Sequence, residues 1–228
     1  MDNGPRVIGA QLRTPRAAAV AGILFALLLG TVVILLIFSQ PSDVSRPGAW
    51  LTDPGRRTSV AVALNLVPFA GIAFLWFIGV VRDRIGQQED RFFASVFLGS
   101  GLLFVAMLFA GAAFAGGLAA DVAAGASATP APDALALGRQ ITALLLRLYA
   151  MRMAAVFTMS AATILLRTRV GPRWIAILGL AVGIVLLISV GLSLWVLLLF
   201  PGWILLLSLD ILRTGLSRSP GAAPADAV

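Results

Sequence analysis

Apolar runs free of charge dominate this chain, and their length, not an amphipathic period, defines its elements. A helix needs roughly 20 apolar residues to cross a hydrocarbon core of ~30 Å. Ala17 to Phe38 is the first such run, closed by the turn Ser39-Gln40-Pro41-Ser42. Its length and the lack of a small-x-small cleavage site after it favour a retained anchor over a signal peptide. Ser59 to Val81 follows, entered from Arg56-Arg57 and left at Arg82-Asp83-Arg84, and then Phe92 to about Leu118. Ala119 to Gly138, a mixture of Ala, Gly, Ser, Thr and Pro with Asp121 and Asp133, reads as a flexible external loop. A fourth span runs from about Leu144 to Leu166, with Ala134 to Ala143 as a helical lead-in lying in the interface.

Trp174 to Leu209 carries no charge for 36 residues. As one helix it would measure about 54 Å at ~1.5 Å per residue, so it has to break. A turn near Ser189-Val190-Gly191-Leu192 yields two spans, whereas a break at Pro201-Gly202 yields one long span and an interfacial half-helix. Arginine placement favours the first, because short cytoplasmic loops are rich in basic residues. With six spans, the cytoplasmic side holds 11 arginines and the outer side only four: Arg46, Arg56, Arg57 and Arg139.

The expected fold is therefore an all-α, polytopic transmembrane helical bundle of about six spans with both termini cytoplasmic. Residues 1–16 form a cytoplasmic segment, 17–213 the membrane domain and 214–228 a disordered cytoplasmic tail. The spans are 17–38, 59–81, 92–118, 144–166, 174–189 and 192–212.

Composition sharpens this picture. Of the 228 residues, 60% are hydrophobic and 12% charged, about half the charge of a soluble domain. All 17 basic residues are arginine, and histidine and cysteine are absent. That inventory removes disulfides, thiolate or imidazole metal sites and Ser-His or Cys-His nucleophile systems. No HExxH, GxSxG or P-loop motif occurs, so no catalytic residue, metal or cofactor is expected. The net charge of +7 comes from arginines at membrane ends, where they meet lipid headgroups, and nucleic acid is not an expected partner.

The residues that invite a functional reading lie within the spans. An arginine in a span costs about 2.5–3.5 kcal/mol on insertion scales. Arg147 is near enough to the outer end to snorkel, but Arg152 is deeper and has no obvious counter-charge within the spans, which leaves it the outer-loop acids Asp43, Asp53, Asp121 or Asp133, carbonyls and water, or an anionic ligand. Asp210 belongs to the opposite end, beside Arg213. Thr31 and Asn65 come to a similar depth, and Tyr149, the only tyrosine, lies between the two arginines in sequence. Together Thr31, Asn65 and Arg152, with Arg147 and Tyr149 above them, are candidates to line an outward-facing cavity for a lipid phosphate or other anion. Hydrogen bonding between helices is the competing role for Asn65 and Arg152. Gly179 and Gly183 form a GxxxG spacing suited to close helix packing. A parallel repeat is hinted at by Val80-Val81-Arg82-Asp83-Arg84-Ile85-Gly86 and Leu165-Leu166-Arg167-Thr168-Arg169-Val170-Gly171.

The passage Asn65-Leu66-Val67-Pro68-Phe69-Ala70-Gly71-Ile72-Ala73-Phe74-Leu75-Trp76-Phe77, followed by Arg82-Asp83-Arg84 and Glu89-Asp90-Arg91-Phe92-Phe93, resembles uncharacterised multi-pass integral membrane proteins of high-GC, actinobacterial-type bacteria. The resemblance covers spans two and three and transfers no functional residues. It implies a bacterial cytoplasmic membrane. The expected function is that of a non-enzymatic membrane protein binding a partner subunit or lipid, with a small transporter or permease subunit as the alternative.

Overall fold

A computed structural model describes residues 14–39, 54–85, 91–123, 132–168, 171–189 and 193–217, and among them the chain is entirely helical apart from short caps. Helix α1 spans Thr14–Ser39, α2 Pro54–Ile85 and α3 Arg91–Ala123. Helix α4, Pro132–Ala143, runs through a π-helical segment, Leu144–Ala150, into α5, Met151–Thr168. Helix α6 is Arg173–Ile188, and a 3-10 segment, Leu194–Leu198, leads into α7, Leu199–Ser217. In hydrocarbon each backbone N–H and C=O must be paired within the chain, which is why uncharged runs of this length become helices. Five apolar helical stretches are long enough to cross a membrane: Ala17–Ser39, Gly55–Arg82, Phe92–Ala120, Ala136–Thr168 and Leu194–Thr214. The protein is an all-α polytopic membrane bundle.

Within the uncharged stretch after Trp174, α6 ends at Ile188 and the next helical segment opens at Leu194. Helix α6 opens after Gly171, whose φ of 91° only glycine adopts cheaply, and the extended Pro172. At its far end Ser189 leaves helical geometry, with ψ at 66°. Ser193 restarts the chain by accepting a hydrogen bond from the Trp195 N–H. Pro201 falls in the first turn of α7, where a missing N–H costs little, so Pro201-Gly202 lies inside a helix and is no chain break.

Several boundaries move. The stretch expected as a loop, Ala119 to Gly138, is helical to Ala123 and again from Pro132, leaving only 124–131 outside the described residues. Alanine is the strongest helix former, and Pro132 sits at a first helical position where its fixed φ helps. Helix α2 begins at Pro54 for the same reason, five residues before the expected span, and α7 continues through Thr214 to Ser217, into the segment expected to be disordered.

Contacts between helices order them in a closed ring: α1 against α2, α2 against α3, α3 against α5, α5 against α6, α6 against α7, and α7 back against α1. Every neighbour is antiparallel. Gly22 of α1 faces Phe77 near the end of α2 and Ser208 near the end of α7, Gly101 of α3 faces Ile78 and Phe157, and Gly179 of α6 faces Trp203. An even number of antiparallel passes brings the start of α1 and the end of α7 to one side. A reporter cysteine at Ser217 in this cysteine-free chain should therefore label from the side opposite to one at Ser127, between α3 and α4. Labelling of both from one side of sealed vesicles would contradict the alternation.

The middle of the ring is filled by phenylalanine. Phe25 of α1, Phe74 of α2, Phe104 of α3, Phe157 of α5 and Phe200 of α7 are all fully buried. Phe74 is the hub, with ring centroids 4.5 Å from Phe25, 5.2 Å from Phe104, 5.0 Å from Phe157 and 5.7 Å from Phe200. Tilted and edge-on pairs of this kind match the negative ring face to the positive edge. Helix α6 contributes no ring; it is held through Gly179 and Gly183. Gly183 lies against the Ala155 carbonyl and Met159 of α5, Gly179 against the Trp203 indole, and Trp203 Nε1 donates to the Ile175 carbonyl at 3.0 Å. The small residues of the GxxxG spacing thus sit at the contacts of α6 with both neighbours. The buried hydroxyls of Thr158 and Ser100 are satisfied within their own helices, Thr158 Oγ1 donating to the Ala154 carbonyl at 2.7 Å and Ser100 Oγ to the Val96 carbonyl at 2.6 Å.

Candidate functional site

The candidate site grows out of a proline in α2. Pro68 has no N–H, so the Leu64 carbonyl loses the donor that an α-helix would supply from four residues on. One residue along, Asn65 turns its amide back on the same helix, its Nδ2 donating to the Ala61 carbonyl at 2.8 Å. Asn65 Oδ1 accepts no hydrogen bond among the described residues. On α3 the facing positions are small: Ala112, Ala113, Gly116, Ala119 and Ala120. Alanine and glycine opposite a proline leave space, and a groove of about 570 Å³ runs between α2 and α3. Its lining is apolar apart from Asn65, with Phe109 among the wall residues.

The groove opens on the outer surface of the ring, away from the phenylalanine core. Asn65 is exposed, and so are Val62, Phe69 and Ile72 on the same side of α2, at 46%, 62% and 45% of their full areas. Asn65 lies ten residues, about 15 Å of helix, inside the apolar stretch Gly55–Arg82. An amide there faces acyl chains that offer it no hydrogen bond, which gives it a use for a partner.

Of the residues singled out in the sequence, Asn65 lines this groove; Thr31, Arg147, Tyr149 and Arg152 do not. Thr31 is exposed on α1, in a stripe with Val20, Leu24, Leu27, Ile34 and Phe38 that meets lipid. Arg147 and Tyr149 are exposed on the π-helical segment, where Leu145 and Leu146 take the inward positions against Gly111 of α3. Arg152 is half-buried at the centre of the apolar stretch Ala136–Thr168. It forms no ion pair among the described residues; the carboxylates of Asp43, Asp53, Asp121 and Asp133 lie outside them.

The surroundings of Arg152 are nonetheless defined. Gly183 packs on Ala155 and Met159, so the antiparallel register of α5 and α6 sets Arg152, on the α6-facing side of its helix, beside the last turn of α6. Helix α6 has 16 residues, about 24 Å, and ends short of a full crossing at Ile188.

Sequence reading found Asn65 but missed Leu64, Pro68 and the small residues across from them, because the pairing of α2 with α3 at this level cannot be read from either helix alone. At the opposite end of the ring, Arg167 stands over the Phe93 ring, 4.3 Å from its centroid, tying α5 to the start of α3. Ser208 Oγ is buried without a hydrogen-bond partner beside Gly22. Compared with models of known families, with curated proteins and with solved structures, the chain matches none.

Proposed function

We propose that this is a non-enzymatic integral protein of a bacterial cytoplasmic membrane that holds a membrane partner, a protein subunit or a lipid, in the groove between α2 and α3. The single observation behind this reading is the Asn65 amide, one residue from the carbonyl whose i+4 donor Pro68 removes, in an otherwise apolar, outward-facing recess. A recess lined by alanine and glycine admits a close-packed helix or chain. The filled aromatic centre favours binding on the flank of the ring over passage through its middle.

Native mass spectrometry of protein extracted in mild detergent tests this. A bound mass lost in Asn65→Leu and kept in Arg152→Leu is expected. Absence of any bound mass, or retention in Asn65→Leu, would count against the groove.

A second reading, a small transporter or permease subunit, draws on one observation: a broken helix, at 189–193, beside a central arginine that no described acid neutralises. Discontinuous helices near membrane mid-depth are a recurring feature of transporter binding sites. Its mark would be a bound phosphate-type anion lost in Arg152→Leu, with anion uptake into proteoliposomes falling in the same variant.

A further inference from the structure

We propose that the occupant of the α2–α3 groove is a second copy of this chain, related by a two-fold axis that passes beside Asn65; this rests on the groove being a partner site. The chemistry of the groove is what selects the occupant. Asn65 keeps one Nδ2 hydrogen and its Oδ1 uncommitted after Nδ2 bonds the Ala61 carbonyl. An acyl chain answers neither, whereas a second asparagine amide answers both at once, donor to acceptor in each direction. A two-fold axis requires that arrangement, because each surface then meets its own copy.

Shape agrees with chemistry. Phe69, 62% exposed, stands one turn from Asn65 as a ridge next to the hollow beside Pro68. A ridge and a recess side by side on one surface are self-complementary under two-fold rotation, each Phe69 filling the hollow of the other copy. By contrast the lipid-facing stripe of α1, from Val20 to Phe38, carries Thr31 as its only polar group.

Single cysteines in the native, cysteine-free protein test the arrangement in membranes. Val62→Cys and Ile72→Cys should form a disulfide-linked species of twice the mass on mild oxidation, while Leu24→Cys on α1 should not. Because Val62, Ile72 and Leu24 are exposed, these variants leave the core and the Asn65 amide intact. In liposomes, with labelled copies read by energy transfer, Asn65→Leu should weaken self-association by about tenfold or more, the scale of an interhelical hydrogen-bonded pair. Monomers at every protein-to-lipid ratio, with no cross-link at Val62 or Ile72, would overturn the second copy as occupant. If Phe69 replaced by a photoreactive residue then attaches to lipid or to a different subunit, the homodimer fails while the partner site stands. If it attaches to nothing and native mass spectra show no bound mass, both fail.

Discussion

Phe74→Ala is expected to lower the stability of the folded bundle by on the order of 3 kcal/mol, the scale of removing a large buried ring without collapse of its surroundings. Phe74 contacts rings from α1, α3, α5 and α7, so its loss opens a void that no single helix can close. Within a membrane the lost term is dispersion, because lipid tails are as apolar as the core. The midpoint of unfolding in mixed micelles of rising sodium dodecyl sulfate measures it. Phe38→Ala is the matched control, since Phe38 is 71% exposed and should shift the midpoint little. Equal effects of the two substitutions would show that the aromatic hub does not hold the ring together.

Adding a single methyl group should be nearly as harmful at Gly179. A Cβ there would lie 2.7 Å from the Trp203 indole, inside contact distance, and the indole cannot swing away without giving up its hydrogen bond to the Ile175 carbonyl. Gly179→Ala is expected to cost about 1–3 kcal/mol, as overpacking of a filled core does. Two other glycines calibrate the result. At Gly183 the added methyl would meet Met159 Cγ, which lies close to its own backbone, and the Ala155 carbonyl at 3.2 Å, so Gly183→Ala should cost about as much as Gly179→Ala; at Gly99 nothing lies within 4 Å, and Gly99→Ala should be neutral or slightly stabilising. Losses at Gly179 and Gly183 with none at Gly99, read in the same micelle titration, are the prediction. A Trp203→Phe background should blunt the effect at Gly179, because the smaller ring leaves room for the methyl.

Much of the helical architecture could be read from charge placement alone. Arg82, Arg167, Arg173 and Arg213 lie at or near the ends of helices, and the length of the stretch after Trp174 demanded the break that occurs beside Ser189. What eluded the sequence was direction. In a soluble helix the apolar side announces the core, but in a membrane both sides are apolar, so nothing along α1 or α2 told Thr31 and Asn65 to face outward. The five residues expected in one cavity share an approximate depth and not a side. The π-helical segment Leu144–Ala150 was equally invisible, since its residues are good α-helix formers; it arises where Leu145 and Leu146 seat against Gly111, a contact made by α3. Arg152 is likewise half-buried at the centre of its apolar stretch with no ion pair among the described residues, and a partner supplied by backbone or by a ligand has no letter in the sequence.

The closed order of the helices also bears on how the protein is made. The seam between α1 and α7 joins Gly22 to Ser208, 186 residues later in synthesis. At synthesis rates of up to ~20 residues per second, α1 waits about ten seconds or more in the bilayer before the helix that covers this surface has been translated. During that interval Gly22 and Phe25 meet lipid or the insertion machinery, and Phe74 and Phe104 await Phe200. A nascent chain that stalls before α7 therefore presents an open-sided aromatic cluster to the membrane. Quality control by membrane proteases has a clear mark to recognise, and completion of the last helix is the event that removes it.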